Sequence, residues 1–139
     1  MLAHPPLPRL LLSTVCLAML TTPGLPSRAN FDTPLTPAEA RQRIGEEVRL
    51  RMTVRVAKDR LEKRGEIYLD SEADFRDPKN FATVITTKGA KALRAAGIGK
   101  PAGHFRGKRI LVHGTVQEVD GVPRIEVDSA EQIELVTTR

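Results

Sequence analysis

The chain has 139 residues, 40% of them hydrophobic and 28% charged, a balance that excludes an intrinsically disordered chain and gives one domain enough length to build its own core. The formal net charge of +5 is modest, so any preference for anionic partners must come from where the charges lie rather than from their sum. Cys16 is the only cysteine, so a disulfide framework is excluded, and the chain that follows residue 29 has no thiol to ligate a metal.

Residues 1–29 read as a secretory leader. Arg9 gives a positive start, Leu10 to Leu20 is apolar, Thr22, Pro23 and Gly24 break the run, and the small residues Ser27 and Ala29 precede Asn30. Eleven mostly apolar residues are too few for the roughly 20 that a membrane span needs, so a leader is preferred over an anchor. Val15 before Cys16 fits a lipid-attachment pattern poorly. The expected destination is therefore periplasmic or secreted, with no membrane span once the leader is cleaved.

Cleavage would leave 110 residues with 20 Lys and Arg against 17 Asp and Glu. The basic residues are unevenly spread. Arg49, Arg51, Arg55, Lys58, Arg60, Lys63 and Arg64 fall in one stretch that holds only two acids, Asp59 and Glu62.

Residues 30–43 are expected to form a lead-in with a short helix, because Thr36-Pro37-Ala38-Glu39 combines a capping hydroxyl, a proline in the first turn and a reciprocal glutamate. Glu47 to Ala57 (EVRLRMTVRVA) then alternates, with Val48, Leu50, Met52, Val54 and Val56 on one face and Arg49, Arg51 and Arg55 on the other. At about 3.4 Å per residue such a strand is over 30 Å long, enough to serve two sheet layers. Lys58 to Arg64 reads as a charged connection turning at Gly65. Glu66 to Asp70 is the second strand, with Ile67 and Leu69 inward and Tyr68 outward, and Phe81 to Thr86 is the third.

Between these two strands lies a polar loop, Ser71 to Asn80. Thr87 is expected to cap a helix through Ala96 that Gly97 stops, with Ile98 folding back onto Leu93. A loop from Gly99 to Gly107 is anchored by Phe105. Lys108 to Val119 forms a fourth strand in which Gly114 marks a bend, and Asp120-Gly121 is a tight hairpin into a fifth, Pro123 to Val127. Ile133 and Leu135 lie on one side of a last extended segment.

Three strands, a helix and two strands in about 100 residues give an all-β fold with one helix, in the order of the five-stranded OB-fold barrel. The segments Tyr68-Leu69-Asp70-Ser71, Asp77-Pro78-Lys79-Asn80-Phe81, Gly107-Lys108-Arg109-Ile110, His113-Gly114-Thr115-Val116 and Asp128 to Ile133 resemble those of small exported bacterial OB-fold proteins. The resemblance runs from Ile44 to Val136 and sets the expected domain at 44–136. It implies a nucleic-acid-binding-like module.

OB-folds bind single strands on the outer face of their second and third strands, flanked by the first-to-second and fourth-to-fifth loops. On this basis the candidate ligand-binding residues are Arg49, Arg51, Arg55, Lys58, Arg60, Lys63, Arg64 and Tyr68. The expected partner is an anionic polymer, either single-stranded nucleic acid or an acidic polysaccharide. A protein partner in the cell envelope, or a stress-related role, is the alternative, and a solvated basic surface without a ligand is the plainest one. Asp70, Glu72, Asp74 and Asp77 resemble the start of a calcium loop, but Phe75 and Phe81 stand where such a loop needs Gly and Glu. A polar loop with Phe75 and Phe81 buried beneath it is expected instead. His104 and His113 accompany no nucleophile motif, so neither catalysis nor a cofactor is expected.

Overall fold

The computed structural model describes residue 3 and residues 33–137. The expected leader lies outside the described residues apart from Ala3. Among the described residues no helix is long and apolar enough to cross a membrane.

The chain is mostly β with short helices. In order these are α1 (Pro37–Ala40), β1 (Glu47–Thr53), β2 (Val56–Arg60), α2 (Leu61–Arg64), β3 (Glu66–Asp70), β4 (Ala82–Thr86), α3 (Thr87–Ala95), α4 (Pro101–Phe105), β5 (Arg109–Val119), β6 (Val122–Val127), a 3-10 turn (Ala130–Gln132) and β7 (Ile133–Leu135). The strands form one seven-stranded sheet ordered β1-β5-β6-β4-β3-β2, with β7 added on β5. All pairings are antiparallel except β4 with β6.

Seven strands replace the expected five for two reasons. The final extended segment pairs with β5 at Ile110 to Val112, and the long first strand breaks at Val54 and Arg55. Its first half pairs with β5 and its second with β3. At the break the Val54 N–H donates to Lys108 O (2.9 Å), while Arg55 N–H turns to Asp70 O (2.9 Å). The alternation slips by one residue there: Val48, Leu50, Met52 and Val54 are buried, then Ala57 is buried and Val56 only half-buried. Lys58 to Arg60, expected in a connection, thereby belong to β2, and Leu61 to Arg64 form a helical turn closed by Gly65 at φ +70°.

Local signals are realised closely. Thr36 and Glu39 make a reciprocal capping box around Pro37. Asp120 and Gly121 take φ of 52° and 77°, the left-handed pair that joins β5 to β6. After α3, Ile98 N–H reaches Leu93 O and Gly97 N–H reaches Arg94 O, closing the helix in a Schellman motif. Its other end differs from expectation by one residue. Thr86, not Thr87, accepts from Gly89 N–H (3.1 Å) and donates to Asp128 Oδ1 (2.6 Å). The 99–107 segment carries α4, with Pro101 in its first turn and Phe105 buried at its end.

The β1–β5 layer and the β2-β3-β4-β6 layer of the sheet pack on one core. Leu50, Ile67, Leu69, Phe81, Ile85, Leu93, Phe105, Ile110 and Ile125 are all but inaccessible, and each such side chain contributes roughly 1.5–3 kcal/mol on burial. This core holds the β2-β3-β4-β6 face in place, and the candidate site lies on its outer side.

Candidate nucleic-acid interface

Register decides which side chains share that outer face. Lys58 pairs with Tyr68, Tyr68 with Val84 and Val84 with Glu126, a single row across four strands. The next row on the same face brings Arg60 opposite Glu66. The intervening rows send Ala57, Ile67, Leu69 and Ile85 into the core.

Above these rows runs a groove of about 1030 Å³. Ala82, Val84 and Tyr68 lie in its floor, and Lys58, Arg60, Lys63 and Arg64 line one side. The 71–80 loop contributes Phe75 and Arg76, and the β5–β6 hairpin contributes Val119 to Pro123. Six of the lining side chains are cationic and four are carboxylates (Glu66, Asp70, Asp77 and Asp120), so the excess is positive.

Five of the eight sequence candidates, Lys58, Arg60, Lys63, Arg64 and Tyr68, therefore meet in the groove. Arg49, Arg51 and Arg55 do not line it. Arg49 and Arg51 sit in the β1–β5 layer opposite His113 and Leu111, and Arg55 is ion-paired with Glu72 (3.4 Å). The break in the first strand separates them from the groove, because the residues before it pair with β5 and those after it with β3.

Phe75, Arg76 and Arg124, which also line the groove, escape the sequence reading. Phe75, expected beneath its loop, is 49% exposed. Its ring has the Lys58 ammonium 4.5 Å and the Arg76 guanidinium 5.4 Å from its centre. Arg124 lies across the floor, its guanidinium 2.8 Å from Glu126 and 3.7 Å from Glu66, with Nε buried and unpartnered. No periodicity marks a side chain inside an irregular loop, and Arg124 looks like any other strand arginine until β6 is placed beside β4.

Among the described residues, Tyr68 and Asp70 have raised pKa values. The Tyr68 hydroxyl donates to Glu66; that carboxylate above all, and then burial, raise the phenol's pKa, while Arg64 acts in the opposite direction. Asp70 is buried, and its carboxyl is raised by the loss of hydration, with the Asn80 hydrogen bond and the Lys58 charge opposing. Asn80 is the hub of the loop. Its amide donates to Asp70 Oδ1 (3.1 Å), and its carbonyl accepts from Glu72 N–H (3.1 Å).

The acidic run is consumed by the same loop. Asp74 accepts from Arg76 N–H and Asp77 from Lys79 N–H. Among the described residues no three His, Asp or Glu side chains form a metal-ligand group. His104 packs edge-on against Phe105, with centroids 4.8 Å apart, and His113 is exposed on the β1–β5 layer; neither lines the groove.

No protein family matches the chain, and no curated protein is returned as a relative. Solved structures do share its architecture. The aspartyl-tRNA synthetase of Entamoeba histolytica superposes with a TM-score of 0.51 at 13% identity, over 77% of this chain and 22% of that one. The asparaginyl-tRNA synthetase of Pyrococcus horikoshii gives 0.49 at 18% identity, over 76% of this chain and 23% of that one. The chain thus spans less than a quarter of either structure, and the likeness to the Entamoeba histolytica synthetase is one of fold alone, OB-fold-like in architecture.

Proposed function

We propose that this chain is a non-catalytic binding module whose five-stranded OB-type barrel takes single-stranded nucleic acid along the β3–β4 face. The carrying observation is the groove itself. Lys58, Arg60, Lys63 and Arg64 stand beside a half-exposed aromatic ring, Phe75, with Tyr68 in the floor. Cations that follow a phosphate chain and rings that stack on bases are the two components of sequence-tolerant single-strand binding.

The topology supports the same reading. Counting β1 and β2 as one strand, β3 and β4 are the second and third, the surface on which OB-folds bind oligomers. Synthetases that act on tRNA include folds of this shape, which is an argument from fold analogy. The placement of His104 and His113 away from the groove supports a binder rather than an enzyme. Export to the periplasm or beyond is part of the proposal and rests on the leader expected at residues 1–29. An acidic polysaccharide would use the same cations. A protein partner is the second reading, favoured by Val119, 37% exposed at the groove's edge alongside Phe75.

The test is fluorescence anisotropy with a labelled oligothymidine of about twelve nucleotides, within the span of one such fold, beside RNA and heparin. If three to five phosphates are neutralised, log K should fall against log salt with a slope of roughly −2 to −3.5, and Arg60→Gln with Lys63→Gln should flatten it. Absence of binding, or a flat slope in the unsubstituted protein, overturns the reading. Preference for heparin assigns the groove to acidic glycans.

A further inference from the structure

We infer that the nucleic-acid path does not end at the groove but continues over the contact between Gly65 and Thr87 onto the solvent side of α3, where Lys88 and Lys91 neutralise further phosphates. This rests on the nucleic-acid reading of the groove and names where the strand goes next.

Continuity is the first observation. The Thr87 hydroxyl donates to Gly65 O at 3.0 Å, and the fit is tight enough that a Cβ on Gly65 would lie 2.9 Å from that hydroxyl oxygen. Arg64, which lines the groove, immediately precedes Gly65, and Lys88 immediately follows Thr87. The basic end of the groove and the start of α3 are therefore one surface.

Charge is the second. From Pro78 to Gln117 the chain has eight Lys and Arg and not one Asp or Glu. Helix α3 buries Gly89, Ala90 and Leu93 against the sheet, which leaves Lys88, Lys91 and Arg94 exposed along its outer side at intervals of three residues. Among the described residues none of these three is in an ion pair.

The experiment compares oligothymidines of about six and about fourteen nucleotides, inside the range of single-fold site sizes, on the unsubstituted protein and on Lys88→Gln with Lys91→Gln. Both lysines are exposed, and an unchanged melting temperature verifies the fold. The longer oligomer should bind the unsubstituted protein more tightly and with a steeper salt slope. The double variant should lower that slope by about 1.4, or ~0.7 per phosphate on a single strand, and bring the longer oligomer to within about twofold of the shorter. The shorter should be unaffected. Lys88→Arg with Lys91→Arg should restore the length dependence. Equal losses for both lengths, or no loss for either, overturn the extension while leaving the groove reading intact. Failure of both lengths to bind the unsubstituted protein overturns both.

Discussion

The ammonium of Lys58 lies 4.5 Å from the centre of the Phe75 ring, tying strand β2 to the 71–80 loop. At an exposed site such a contact contributes roughly 0.5–1 kcal/mol. That is enough to bias the orientation of a ring that is 49% exposed.

Phe75→Ala should therefore separate binding from stability. A ring on which one base stacks contributes about 1–3 kcal/mol to single-strand affinity, so anisotropy should show a loss of that order. Urea unfolding should move by less than about 1 kcal/mol, because the side chain is 49% exposed. Unchanged affinity would remove Phe75 from the site.

Asp70 gives an unusual pH dependence. Its carboxyl is raised above 3.8 by burial in the folded chain, so the folded state binds this proton more tightly than the unfolded one. The resulting stabilisation is complete below pH 3.8 and is lost as pH climbs through the raised value. Asp70→Asn keeps a carbonyl for the Asn80 amide and removes the titration. The stability of Asp70→Asn relative to the unsubstituted chain should rise from acid to neutral pH in urea titrations. Parallel curves would contradict the assignment.

Gly89 and Gly103 should respond in opposite directions. A Cβ on Gly89 would lie 2.0 Å from Val127 O, a backbone atom of β6, whereas one on Gly103 meets nothing within 4 Å. Gly89→Ala forces α3 away from the sheet and should cost about 1–3 kcal/mol or more. Gly103→Ala, in the exposed side of α4, should gain about 0.4–1 kcal/mol. Thermal unfolding of the two variants is sufficient to compare them.

What could be read in the sequence follows the range of the interaction behind each feature. The Thr36 capping box, the Asp120-Gly121 turn and the Ile98 return onto Leu93 are made by residues within five positions of one another, and all three form. Strand alternation was legible as far as Val54 and failed after it, because the partner changes there from β5 to β3 and no local residue announces a change of partner. Thr86 and Thr87 are chemically equivalent caps, and what separates them is Asp128, forty-two positions away.

The site divides along the same line. Lys58, Arg60, Lys63, Arg64 and Tyr68 come from consecutive elements and meet, whereas Arg49 and Arg51 share their strand's outward parity but face away from the groove across β5. Phe75 was invisible because its exposure depends on Asn80 folding the loop beneath it onto Asp70.

The break at Val54 and Arg55 also sets an order of events. Strands β2, β3 and β4 follow one another in the chain and pair successively, while β1 must find β5 beyond α2, α3 and α4, starting with Thr53 against Arg109. Closing the long loop costs entropy before its contacts repay it, so the binding face should nucleate early and β1 should join late. In denaturant-jump kinetics Ile67→Val should chiefly slow refolding and Leu50→Val chiefly accelerate unfolding. A nascent chain would then carry a formed β2-β3-β4 face while β1 still lacks its partner.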